Sequence, residues 1–234
     1  MTGVVVLLVV ALLLVAGYEA LARHSPSVQS PLGRWSDLLR RNGLVGRARL
    51  VRRTAGRPRP TTADDVAVVL AGARSVVVVP GYGLAVAGGQ HALRALADAL
   101  GARGADVRYA VHPAAGRIPG HLDAVLDDAD VPHTAVLPAA EADRQFAVTD
   151  VALVVGASDV VNPACGLDAL RVGEAARVVV LTRSTGPGFA GAPNALLDAG
   201  HVSVLLGDAR DGLTAVTAAL ATAPALATAP GRAA

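Results

Sequence analysis

Residues Ser75–Val79 (SVVVV) constrain the fold more than any other stretch of this chain. Successive side chains of a strand point to opposite faces, so four consecutive valines leave no face for water. A strand of this kind is buried on both sides, as in the interior of a parallel sheet covered by helices. Pro80 and Gly81 end the run and Gly83 follows. From Leu84 the apolar spacing turns helical, through Val86, Leu93, Leu96, Ala97 and Leu100. A strand, a glycine turn and a helix start make a ready anion site: glycine admits close backbone approach, and the first amides of a helix have no intrahelical partner. The G-x-G-x-x-A spacing alone is equally that of a tight β–α turn that binds nothing.

The same kind of run recurs. Strands are predicted at Asp106–Val111, His133–Leu137, Asp150–Val155, Arg177–Thr182 and Val202–Leu206. Helices are predicted between them: one capped by Thr62 with Asp64 and Asp65 in its first turn, then 85–101, 120–129, Glu141–Phe146, and Ala209–Leu220 capped by Asp208. Hydrophobic residues are 53% of the chain but aromatics only 3%, so the core is built of Val, Leu and Ala. Six strands alternating with helices predict an α/β doubly wound parallel sheet. In such a sheet the glycine-rich loops at 80–86, 112–121, 156–163, 183–191 and 207–208 collect at one edge, where ligands bind.

Upstream of the sheet the chemistry changes. Residues 3–18 (GVVVLLVVALLLVAGY) carry no charge and as a helix span roughly 24 Å. Two readings stand: a short transmembrane anchor over 1–22, or a signal peptide with Ala20-Leu21-Ala22 as its cleavage site. The anchor is favoured, because arginine follows the apolar run and no positive region precedes it. By the positive-inside rule the anchor is single-pass in the cell membrane, with the following domain in the cytoplasm. Residues 23–59 hold ten Arg and one acid, Asp37, whereas 60–234 hold eleven Arg and seventeen Asp or Glu. The basic stretch 23–60 reads as an Arg/Pro-rich linker; a short amphipathic helix around Leu32–Leu39, with Trp35, is the other reading. Nucleic acid is not indicated, since the basic run lacks interleaved aromatics apart from Trp35 and has no zinc-ligand spacing. One cysteine, Cys165, excludes a disulfide scaffold. No His, Cys, Asp or Glu spacing suggests a metal site. The domain is expected over 61–222, followed by a disordered tail at 223–234.

Taken together, the loops resemble one family. PGYGLAVA (80–87), RGADVRYAVHPAAGRIPGH (103–121), VPHTAVL (131–137), TDVALVVGASDVVNPA (149–164), Arg183-Ser184 with GPGFAG (186–191) and GDA (207–209) occur in order. They are similar to the NADP(H)-binding domain, domain III, of the proton-translocating NAD(P) transhydrogenase β subunit. The resemblance implies a Rossmann-like sheet with NADP(H) as cofactor. It implies that Gly81, Tyr82, Gly83, Ala85 and Val86 line the pyrophosphate and nicotinamide side and that Arg117 reaches the diphosphate. Gly156, Ala157, Asp159 and Asn162 then lie near the nicotinamide, with Asp159 the residue that couples the site to its surroundings. Arg183 and Ser184 grip the 2′-phosphate, and Gly188, Phe189, Ala190 and Gly191 form a lid loop where the family usually has Tyr at the position of Phe189. Gly207 and Asp208 lie on the adenosine side. Implied partners are an NAD(H)-binding subunit, the other side of a hydride transfer, and a multi-helix membrane subunit.

Three departures accompany the resemblance. The Lys that usually precedes the Arg-Ser pair is Thr182. The segment 163–177 is shorter than in the family. One candidate membrane helix precedes the domain, so proton translocation requires further chains. The first two favour an alternative, a membrane-tethered NADP(H)-binding module without transhydrogenase activity.

Overall fold

A computed structural model of the chain describes residues 58–118, 120–165, 170–188 and 191–223. The anchor expected over 1–22, the linker up to residue 57, Phe189, Ala190 and the tail from 224 lie outside them. Among the described residues no helix is long and apolar enough to cross a membrane.

Seven strands form one sheet: β1 (Arg59–Pro60), β2 (Ser75–Pro80), β3 (Asp106–Ala110), β4 (Val136–Leu137), β5 (Val151–Val155), β6 (Arg177–Thr182) and β7 (Val202–Leu206). Every pairing is parallel, and the order is β1-β7-β6-β5-β2-β3-β4. The chain winds outward from β2 to β4, returns to β5 beside β2, then winds the other way. The switch point therefore lies between β2 and β5, where ligands of doubly wound sheets bind.

Among the described residues the α-helices are α1 (Ala63–Ala71), α2 (Tyr82–Val86), α3 (Gln90–Ala102), α4 (His121–Asp128), α5 (Ala139–Phe146) and α6 (Ala209–Thr222). Strand parity sorts the core into two layers. Val76, Val78, Leu153 and Val155 point to the side covered by α1, α3 and α6, where they meet Leu70, Leu93, Leu96, Leu213 and Leu220. Val77, Val79, Ala152 and Val154 point to the other side, against Phe146 of α5, Leu122 of α4 and Leu196. The unbroken valine run is thus buried on both faces.

Several predicted elements differ from those observed. The sheet has seven strands rather than six: Arg59 and Pro60, assigned to the linker, pair with Ser203 and Val204 as an edge strand. A proline and an exposed arginine carry no apolar signal, and an edge tolerates both. The predicted strand at 133–137 begins as a 3-10 turn, His133–Ala135, before its two paired residues. The predicted helix over 85–101 is two helices. Gly88, at φ 58°, stops α2; its N–H and that of Gly89 donate to the carbonyls of Ala85 and Leu84, at 3.2 and 3.1 Å. This pair of bonds closes a helix in the Schellman manner and needs glycine at the left-handed position.

At the start of α1, the Asp65 N–H donates to Thr62 Oγ1 and the Thr62 N–H to Asp65 Oδ2, each at 3.2 Å. This reciprocal cap holds the Asp65 carboxyl below its usual pKa through the bonds from Thr62. Thr62→Ala is expected to lower stability by about 1 kcal/mol, read as the midpoint shift in urea unfolding.

Candidate functional site

The two loops that leave the sheet at the switch point are locked together. The Gly81 N–H donates to Val155 O at 3.0 Å, the Gly83 N–H to Gly156 O at 2.9 Å, and the Gly156 N–H to Leu181 O at 2.9 Å. A Cβ on Gly81 would lie 2.3 Å from Gly156 O, and one on Gly156, at φ 60°, would lie 2.6 Å from Gly83 Cα. These glycines bring two backbones into contact across β2 and β5. Two amides of the turn that sequence marks as phosphate donors are therefore engaged inside the protein, and α2 is only five residues long. The turn builds the floor of the site rather than an anion hole.

Above it, a cleft of about 440 Å³ opens at the C-terminal ends of β2, β5, β6 and β7. Tyr82 and Gly83 form one wall, and Gly156, Ser158 and Asp159 the next. Thr182, Arg183, Ser184 and Gly188, with Gly207, close the far side. The structure thus brings together eight of the residues singled out in the sequence: Tyr82, Gly83, Gly156, Asp159, Arg183, Ser184, Gly188 and Gly207. Ser158, absent from that reading, also lines the cleft. No sequence signal distinguishes it from the turn residues around it.

Arg183 is exposed and makes no ion pair with another described residue. The turn that carries it is held by Thr182. The Thr182 hydroxyl donates to Ser184 O at 3.0 Å and accepts from the Ser184 N–H at 3.4 Å. Ser184 Oγ in turn accepts from the Gly186 N–H at 3.0 Å. Across the cleft, a Cβ on Gly188 would lie 2.7 Å from Asp159 Oδ1, so this loop approaches the carboxylate as only glycine can. Cys165 Sγ lies 3.9 Å from the same oxygen. Burial, and then the Asp159 charge, push the Cys165 thiol pKa up, so it remains a protonated thiol at neutral pH.

Arg117 lies outside the cleft lining. Its Nε–H donates to Tyr82 Oη at 2.7 Å, and its guanidinium sits 5.3 Å from the Tyr82 ring centroid. The loop that carries it curls at Gly116, at φ 97°, and the Arg117 N–H donates to His121 Nδ1 at 3.3 Å. Arg117 therefore reaches the cleft through Tyr82. The nearby His112 is buried, and its Nδ1 accepts from the Ala114 N–H at 3.0 Å.

The remaining predicted residues stand around the cleft. Ala157 is buried against Gly81. Ala85 and Val86 sit on α2, with Val86 half exposed. Gly191 lies at φ 68° in the loop after β6. Asp208 caps α6 by accepting from the Arg210 N–H at 3.0 Å. Asn162 is almost wholly buried: its amide donates to Ala192 O at 3.1 Å, and its Oδ1 accepts from the Ala164 N–H at 3.0 Å. Asn194, which sequence reasoning missed, returns the tie by donating to Ser158 O at 3.1 Å. Two buried amides thus fasten the loop after β5 to the loop after β6. Sequence could not pair them, because the partners are backbone carbonyls some thirty residues away.

The sequence model of the family described as NAD(P) transhydrogenase beta subunit matches residues 42–219. Two sequences named NAD(P) transhydrogenase subunit beta, from Rhodospirillum rubrum and from its strain ATCC 11170, are each 42% identical over 158 residues. That alignment covers 64% of this chain and 34% of theirs, so the chain spans about a third of the length of these relatives. A solved structure from work on the mechanism and regulation of Sir2 enzymes overlaps 68% of this chain and 97% of its own, at 15% identity and a TM-score of 0.42; so loose a likeness carries no argument. The motif loops that converge on the cleft, and a family match that covers most of the chain, lead to one conclusion: it belongs to the NAD(P) transhydrogenase beta subunit family.

Proposed function

We propose that the chain is the NADP(H)-binding component of an NAD(P) transhydrogenase, with hydride passing directly between NAD(H) on a partner subunit and NADP(H) held here. The observation that carries this reading is Arg183, a guanidinium without a described ion-pair partner, beside a cleft at the switch point of a sheet from this family. The residues present suit such a cofactor. The cleft offers a cation for a phosphate and a glycine loop drawn close to Asp159.

NADP(H), when bound, supplies a nicotinamide that accepts or releases hydride. The chain's own residues need provide neither acid nor base; their work is to hold and orient. Arg183 and Ser184 bind the 2′-phosphate, a fork-shaped cation and a hydroxyl against phosphate oxygens. No acidic residue follows the glycine turn at the end of β3, where a reader of a free 2′-hydroxyl would stand; the segment runs Tyr109-Ala110-Val111-His112. Tyr82 holds Arg117 at the rim, ready for the diphosphate. Asp159 is the residue that couples the occupied site to its surroundings. Phe189 and Ala190 continue the lid loop from Gly188. The partners are an NAD(H)-binding subunit and a multi-helix membrane subunit. Residues 1–22 are the single-pass membrane anchor, and the nucleotide-binding domain is cytoplasmic.

Titration of the full chain in detergent with NADPH and NADH tests the reading, followed by mixing with an NAD(H)-binding transhydrogenase subunit. Binding of NADPH and hydride transfer on mixing are expected. Binding without transfer replaces this reading with the tethered binding module, which Thr182 favours. Absence of NADPH binding overturns both.

A further inference from the structure

The opposite edge of the sheet, where the strands begin, holds a second depression of about 330 Å³. Its polar lining is Arg59 at the start of β1, Arg177 at the start of β6, and His201 and Ser203 around the start of β7; among the described residues no Asp or Glu lines it. The pairing of the strands sets these groups side by side, with Arg59 in register with Ser203 and Val178 with Val202. Arg74, just before β2, adds another exposed arginine to this edge. Arg59, Arg74 and Arg177 make no ion pair with a described residue. Two acids at the same edge are already engaged. Asp150 Oδ2 accepts the backbone N–H groups of Arg74 and Ser75 at 2.8 and 3.1 Å, and Asp106 pairs with Arg108 at 2.9 Å. His201 Nε2 lies 3.1 Å from Gly173 O; a carbonyl only accepts, so this nitrogen carries a proton and the ring is anchored.

Two arginines and a hydroxyl around a depression with no acid in its described lining match the oxygens of a phosphate. The charge of the preceding sequence identifies the source. The chain enters the sheet at Arg59, after a run in which 23–57 hold nine Arg and one acid. That run is itself cationic, so it is no counter-charge for the depression. An extended anionic surface complements both the run and the depression at once, whereas a small free anion complements only the depression.

We propose that the strand-start edge is a membrane-facing surface, on which Arg59 and Arg177 hold the phosphate of an anionic lipid head group. The nucleotide cleft, at the other ends of the same strands, then faces away from the lipid. The proposal rests on the membrane reading of residues 1–22.

The test compares the full chain in phosphatidylcholine nanodiscs with the chain in nanodiscs that also contain phosphatidylglycerol, by amide hydrogen exchange over 174–178 and 199–203. Phosphatidylglycerol is expected to slow exchange there roughly tenfold, as saturation of a site would. Arg59→Gln with Arg177→Gln should remove that protection and leave NADPH affinity unchanged, which separates a lost surface from a lost fold. Equal exchange in both nanodiscs overturns the proposal. So does equal protection by inorganic phosphate in phosphatidylcholine alone, which would make the depression a free-anion site. A chain that stays out of phosphatidylcholine nanodiscs overturns the anchor reading alone, since protection by phosphatidylglycerol still reports on the surface.

Discussion

Gly81→Ala is expected to destabilise the domain by at least ~3 kcal/mol and to abolish NADPH binding with it. The added methyl would lie 2.3 Å from Gly156 O, 2.4 Å from Ala157 Cα and 2.5 Å from Ala157 Cβ. Two of these atoms are backbone, and the Gly156 carbonyl is held by the Gly83 N–H, so no side chain can rotate out of the way. Relief requires β2 and β5 to separate at the switch point. That in turn strains the bonds from Gly81 to Val155 and from Gly83 to Gly156. Gly101→Ala supplies the contrast. Gly101 lies inside α3 with nothing within 4 Å of an added Cβ, and its replacement should stabilise by ~0.5–1 kcal/mol, the helical preference of Ala over Gly. Urea unfolding followed by circular dichroism measures both. A loss below about 1 kcal/mol at Gly81 would show that the two loops are not interlocked.

That interlock marks the boundary of what sequence could say. The buried strands were legible because Val and Leu runs have one stable home, and β6 and β7 fall where the pattern puts them. The Thr62 cap was legible because its chemistry is local. The convergence of the glycine-rich loops on one cleft was legible because a parallel sheet gathers its strand ends. What those glycines do was not. A glycine that admits a phosphate and one that admits a neighbouring loop look alike in sequence. Only the bonds from Gly81 and Gly83 to β5 and its loop show that the second use applies to these two amides. Asn162 behaves similarly: its motif marks it for the site, while its amide is spent on Ala192 and Ala164. β1 escaped because two residues, one of them proline, give no period to detect.

Arg183→Gln is expected to weaken NADPH binding by about 10- to 100-fold and to leave NADH binding within about twofold. A hydrogen bond to a charged group contributes about 1.5–3 kcal/mol, and each 1.4 kcal/mol is tenfold in affinity. Arg183 can deliver most of that, because it has no ion pair with a described residue to give up. The complementary change is Thr182→Lys, which supplies a second cation but removes the hydroxyl that braces Ser184. The brace is two neutral bonds on an exposed turn, at 3.0 and 3.4 Å, and contributes less than one charge-assisted bond. The gain therefore outweighs the loss, and NADPH binding should tighten by roughly 5- to 30-fold at low salt. That gain should shrink as salt screens the new charge, since the site opens to solvent. Calorimetric titration of both nucleotides against the wild type and each variant decides the matter. If Arg183→Gln weakened NADH as much as NADPH, the guanidinium would be reading the diphosphate common to both, and the 2′-phosphate assignment would fall.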